Sequence, residues 1–326
     1  MAAPSAPGKV TGRAPVIKLW LATATTSLGN HSDRLNAINI FPVPDGDTGS
    51  NLYFTVAAAA QALVNEDKAD LGEYLSLAAT AAMENARGNS GTLVAVMLSA
   101  LAESLEGVDR LTAQTLALAL DRATVRSWAA LSEPVAGTML SVLETTATTV
   151  RTVAADVDES GHGLRVALEH MVAAAVEAVR ETESQLKALE AAHVVDSGGV
   201  GLLLLLDALR AAVLGEELDS DLLDGLSGYG SNHPHLHQSA EHVEGFEVMC
   251  SIDLSALDAA TLRYELDRAG DSVIMSAVKT LNEEKQLFRW RVHVHVADKQ
   301  LALNAIENVG TAENLVISDL CTHESA

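Results

Sequence analysis

Apolar positions recur every three to four residues through the first two thirds of the chain and every second residue near its end. The helical period is clear over 15–38, where Ile17, Trp20, Leu21, Leu28 and Leu35 fall on one face. The same period predicts further helices over about 51–65, 70–86, 92–105, 112–131, 137–157, 164–189 and 201–214. Asp70 with Glu73 reads as a capping box for the third. Eight helices joined by short connections indicate antiparallel up-down packing. Beyond residue 245 the pattern becomes strand (246–252), helix (256–269), strand (272–277), strand (288–296) and helix (299–309), a small α+β unit. The expected architecture is therefore multidomain: an all-α antiparallel eight-helix barrel over 15–216, a linker over 217–244 and an α+β domain over 245–318. A disordered leader (1–14) and a polar tail (319–326) flank them.

In such a barrel the second, fourth, sixth and eighth helices begin at the same end. The loops before them read D-G-D-T-G-S-N (45–51), R-G-N-S-G-T (87–92), P-V-A-G-T-M (134–139) and D-S-G-G-V-G (196–201). Each is rich in Gly, Ser, Thr or Asn, and helix starts carry unpaired N–H groups and a positive dipole end. Each loop alone reads equally well as a helix cap. Together they point to one rim as the site.

The first loop is the most specific. Pro42 and Pro44 stop the incoming helix, and Asp45 and Asp47 flank a glycine that lets both carboxylates face one ion. Asp45 and Asp47 would hold one or two Mg²⁺, with Asn36 or Asn39 adding a carbonyl oxygen. Thr48, Gly49, Ser50 and Asn51, then Asn89, Ser90 and Gly91, supply donors for phosphates. Gly137, Thr138, Asp196, Ser197 and Gly198 would complete the wall. Rival motifs fail: an EF-hand needs an acid at loop position five and Glu at twelve, where Gly49 and Val56 stand, and no P-loop sequence is present. Ser90 is not in a nucleophile elbow, because Thr92 occupies the position of its last glycine.

Composition narrows the partners. The 326 residues are 48% hydrophobic but 3% aromatic, which suits close-packed helices of Ala, Leu and Val. A formal charge of −23 argues against nucleic acid and makes a nucleotide site dependent on metal ions. Cys250 and Cys321 make no disulfide framework, no secretory h-region is present, and the 202–206 leucine run is too short to span a bilayer. The expectation is a cytoplasmic protein that is not integral to a membrane; a homodimer is compatible with it.

N-x-x-N-x-F-P-V-P-D-G-D-T-G-S-N, A-R-G-N-S-G, E-P-V-A-G-T-M-L and V-V-D-S-G-G-V-G-L, in this order over roughly 15–215, resemble the DhaL-type ATP-binding domain, in its form found in bacterial fatty acid kinase A. The resemblance implies an eight-helix barrel with ATP and two Mg²⁺ at one rim, Asp45 and Asp47 in the metal role. Thr48–Asn51, Asn89–Ser90, Gly137–Thr138 and Asp196–Gly198 would line the nucleotide. It further implies phosphoryl transfer to a fatty acid carboxylate held by a DegV-type fatty-acid-binding partner, giving an acyl phosphate. The alternatives are a non-catalytic nucleotide- and zinc-binding regulator and a dihydroxyacetone-type kinase subunit.

In F-R-W-R-V-H-V-H-V (288–296) the period of two puts Arg289, Arg291, His293 and His295 on one face. Two histidines at that spacing can chelate a metal, with Cys250 on a neighbouring strand as a candidate third ligand; a solvent-facing polar strand reads equally well. The resemblance favours a zinc site, since the family's middle domain binds zinc through a Cys and a His-x-His, which implies Cys250, His293 and His295 here, with an open coordination position. Two features depart from the family: V-M-C-S stands for its Gly-Tyr-Cys, and Val296 stands where Thr is common. The chain ends at Ala326, short of the family's C-terminal domain. Histidines at 233, 235 and 237 read as a solvated linker, and Cys321 and His323 as an inert tail.

Overall fold

The computed structural model describes residues 12–230 and 245–320. The linker histidines, Cys321 and His323 lie outside them. Among the described residues the first unit holds nine helices: α1 (Val16–Ala37), α2 (Thr48–Ala62), α3 (Leu71–Asn85), α4 (Gly88–Ser104), α5 (Ala113–Ala130), α6 (Met139–Asp156), α7 (Gly161–Gln185), α8 (Lys187–Ala192) and α9 (Ser197–Leu214). Successive long helices pack against one another from α1 to α7, and α9 closes the ring by contacting both α7 and α1. Leu202–Leu206 make α9 apolar on every side and all five are buried. By length and composition α9 could cross a membrane, yet 89% of it is buried within the protein. Its one charge pair is enclosed with it: Arg210 Nε donates to Asp207 Oδ1 at 2.7 Å.

The structure corrects several boundaries. α2 and α4 begin three to four residues before the predicted positions, because T-G-S-N and G-N-S-G form their first turns rather than loops. Small polar side chains are tolerated there, where N–H groups seek external acceptors. The predicted seventh helix is divided at Leu186, which turns extended (φ −120°, ψ 121°) and leaves the short α8, so the helices number nine rather than eight. Asp70 caps α3 as expected, but Glu73 reaches back to the amide of Ala69. The expected leader is already anchored at Gly12, whose carbonyl accepts from the Leu111 amide. The expected linker is packed as far as residue 230, with Leu222, Leu226 and Tyr229 in the helical core.

The second unit runs β1 (Phe246–Ser255), α10 (Ala256–Ala269), β2 (Gly270–Asn282), β3 (Leu287–Val296), α11 (Lys299–Val309) and β4 (Ala312–Asp319). Its sheet has the order β2-β3-β1-β4, antiparallel throughout. β4 lies where the sequence predicted only the chain beyond the last helix and a tail; its exposed edge position spares it any need for apolar alternation. α10 and α11 cover one sheet face, enclosing Val248, Cys250, Ile252, Val292 and Val294. The other face turns to the helical unit. Ile274 of β2 is wholly buried in the helical core and bridges Leu131, while the Ser132 amide donates to the Val273 carbonyl at 3.2 Å.

Candidate functional site

Asn36, near the end of α1, organises the acidic loop. Its Oδ1 accepts from the amides of Gly49 (2.7 Å) and Ser50 (3.2 Å), so it caps α2 from outside. Its oxygen is therefore engaged, which removes it as a metal ligand. Asp47 stands at the N-cap position yet makes no side-chain cap bond, so capping does not account for this residue. Gly46 takes φ 68°, a conformation open to glycine, and the turn it makes brings the two carboxyls together. Asn39 donates its amide N–H to Asp45 Oδ1, leaving its own oxygen for another partner. Burial, then the neighbouring Asp47, hold the Asp45 carboxyl well above the usual range. Two enclosed carboxyls that repel one another fit a hard cation.

Beside this pair the four loops meet at a cavity of about 390 Å³. Thr48, Asn89, Ser90, Thr138, Asp196 and Gly198 line it, so the starts of α2, α4, α6 and α9 converge on one space. Its apolar walls are Phe41, Leu93, Leu131 and Met139. Thr138 and Asp196 also cap their helices, Asp196 accepting from the Gly199 amide at 2.7 Å. Burial pushes the Asp196 carboxyl up to about 6 against the opposing amides of Gly199 and Met139. Asn89 Oδ1 is buried with no hydrogen-bond partner, the condition of a group awaiting a ligand.

Other predicted residues serve packing. A side chain at Gly49 would strike the Ser32 carbonyl, and one at Gly91 would strike Thr55 where α4 crosses α2. Gly137 lies against Gln185, Ser50 accepts from Asn36, and Ser197 donates to the Leu35 carbonyl at 2.7 Å. Asn51 lines the recess around the two aspartates rather than the cavity where the four loops meet.

The sheet brings a second group to the same rim. Glu247, His293 and His295 place their ligand atoms within 4.8 Å of one another, all three buried. Both ring nitrogens of His293 and Nδ1 of His295 lack hydrogen-bond partners. His293 Nδ1 lies 3.4 Å from Glu247 Oε1, but without hydrogen-bond alignment. Burial holds both imidazoles below their ordinary value, hence neutral, the form that ligates metals. Burial, then Asp47, push Glu247 up to about 7. The residues fit a metal ion.

Cys250 is corrected. It pairs with Val292, whereas Glu247 pairs with His295 and Met249 with His293, so parity sends the thiol to the opposite face. There it is wholly buried among aliphatic side chains, and burial pushes it up to about 11. Glu247 stands where Cys250 was expected. The solvent-facing reading of 288–296 fails as well, since Arg291, His293 and His295 are 4%, 1% and 4% exposed. Sequence reasoning missed Glu247, together with Asp271 and Ser272, which reach the four-loop cavity from β2. The two constellations adjoin: a small recess is lined jointly by Asn39, Asp45, Asp47, Asn51 and His295.

Comparison with known proteins follows this division. Residues 42–211 match the DAK2 domain, and residues 243–325 match the fatty acid kinase A-like middle domain. The chain is similar to Protein YloV of Bacillus subtilis, 27% identical over 304 residues, covering 90% of this chain and 53% of that protein. It is similar to uncharacterized proteins of Staphylococcus epidermidis and Staphylococcus haemolyticus, each 26% identical over 302 residues, covering 90% of this chain and 52% of theirs. The chain thus spans about half the length of the curated relatives it matches. A solved dihydroxyacetone kinase from C. freundii, in complex with AMP-PNP and Mg²⁺, is similar at 20% identity and a TM-score of 0.46, covering 64% of this chain and 36% of that one.

Proposed function

This chain belongs to the DAK2 domain family, with a fatty acid kinase A-like middle domain beside it, and from that footing we propose an ATP- and Mg²⁺-dependent kinase acting on a fatty acid carboxylate that a DegV-type fatty-acid-binding partner presents. The observation that carries the reading is the convergence of four helix starts on one cavity beside an acidic pair that capping does not explain. Thr48, Ser90, Thr138 and the helix-start amides would bind phosphate oxygens. Phe41, Leu131 and Met139 offer an apolar wall for a base. Asp45, Asp47 and the free oxygen of Asn39 would hold Mg²⁺, which when bound supplies neutralisation of phosphate charge.

In the reaction a carboxylate oxygen attacks the γ-phosphorus, forming a new P–O bond. The bond from that phosphorus to the β,γ-bridging oxygen breaks, and ADP leaves with the electron pair. The acid is already ionised, so no proton needs removing; positioning and electrostatics suffice. Glu247, His293 and His295 would hold zinc, whose charge when bound would offset the acidic pair. Titration calorimetry of the full chain with ATP and Mg²⁺ is the test: micromolar binding is expected in the wild type and none with Asp45→Asn and Asp47→Asn combined. Unchanged binding in that variant would refute the site.

A further inference from the structure

The acidic pair lies between two cavities. Its recess shares Thr48, Asn89 and Ser90 with the nucleotide cavity, and Asp45, Asp47 and Asn51 with a second cavity of about 710 Å³ against β1 and β4. Arg291 lines this second space. It is 4% exposed, and Glu247, which lines the same cavity, attracts its guanidinium from beyond ion-pair distance. Its Nε is buried without a partner. Its other contacts are long: Ser251 Oγ at 3.5 Å, the Ala86 carbonyl at 3.3 Å and Met249 Sδ at 4.0 Å. A guanidinium cannot shed its charge, so enclosing it with Nε idle and only long contacts at its Nη groups is costly unless an anion completes it.

We propose that the second cavity receives the phosphoryl acceptor, and that Arg291 binds its carboxylate. This rests on the kinase reading above. An idle Nε beside an Nη matches the two oxygens of a carboxylate, and each oxygen keeps a lone pair for attack. A neutral polyol would add no charge to the guanidinium beyond that of Glu247, which separates this acceptor class from a sugar. Met249, Val316 and Leu320 give the same cavity an apolar side suited to a hydrocarbon chain. Arg87 is the other cation there, but it is exposed and stacked on Phe54 at 4.3 Å. The acceptor would thus reach the acidic pair from a cavity separate from the nucleotide's.

The test titrates the full chain, loaded with Mg²⁺ and AMP-PNP, with octanoate and separately with octanol by calorimetry. Octanoate is expected to bind the wild type, to weaken by about tenfold or more with Arg291→Gln, and to recover part of that loss with Arg291→Lys. Octanol binding and AMP-PNP affinity should stay within about twofold in both variants. Equal octanoate affinity in wild type and Arg291→Gln, or no octanoate binding to the wild type, would overturn the proposal while leaving the kinase reading intact. A tenfold loss of AMP-PNP affinity with Arg291→Gln would overturn it too, by assigning the arginine to the nucleotide. Failure of AMP-PNP to bind the wild type would remove the kinase reading itself and this inference with it.

Discussion

Asp196 is fully enclosed where it caps α9, and burial raises its carboxyl from about 3.8 to about 6. The folded chain therefore holds this proton more tightly than the unfolded chain does. Stability from this group is fully present below about pH 4 and is lost as pH rises through about 6, by on the order of 3 kcal/mol at most. Asparagine caps helices as well as aspartate and carries no charge. Asp196→Asn should thus gain in melting temperature relative to wild type by several degrees between pH 4.5 and pH 7.5, followed by calorimetry. An offset that does not change with pH would contradict this account of the buried acid. Residue types alone could nominate Asp45, Asp47 and Asp196, since a carboxyl in a glycine-bearing turn before an apolar run has few uses. They could not tell capping from exposure to a ligand. Asn36 and Asp47 were separable only once the Gly49 and Ser50 amides were seen to bond the asparagine.

For whole helices and strands, legibility followed the strength of the repeat. α10 and α11 occupy the residues the repeat predicted, with Leu262 and Leu266 buried in the first and Ala302 and Ile306 in the second. The starts of α2 and α4 were misread because a glycine-rich first turn looks the same as a loop. Strand parity was a harder limit: the sequence shows that residues 293 and 295 share a face, but only pairing decides whether Cys250 or Glu247 joins them. Elemental analysis can check the outcome. Cys250→Ala should leave the zinc content of purified protein unchanged, at a stability cost of about 1–2 kcal/mol. Glu247→Ala and His293→Ala should each lower it. Zinc lost from the cysteine variant alone would restore the thiol as ligand.

Across the whole molecule, the two units share hydrophobic core. Ile274 belongs to the sheet by chain position and to the helical barrel by burial. Ile274→Ala should cost about 2–4 kcal/mol and lower the melting temperature by several degrees. Wild type should unfold in one calorimetric transition, with calorimetric and van't Hoff enthalpies equal; two resolved transitions would show the units to be independent. No sequence pattern announced this union. From its alternation alone the polar face of β3 read equally well as a solvated surface or a metal site; the barrel rim packed against it removes the first.

β2 carries a quieter consequence. Asp271 and Ser272 stand more than two hundred residues along the chain from the turn at 45–51, yet they wall the cavity where α2 begins. On the proposed kinase reading, substitutions in this strand should therefore alter nucleotide affinity while every helix keeps its place. A mutational scan scored by nucleotide affinity would return this distant stretch alongside the glycine-rich turns, and a fragment cut after α9 would keep those turns but lose one side of their enclosure.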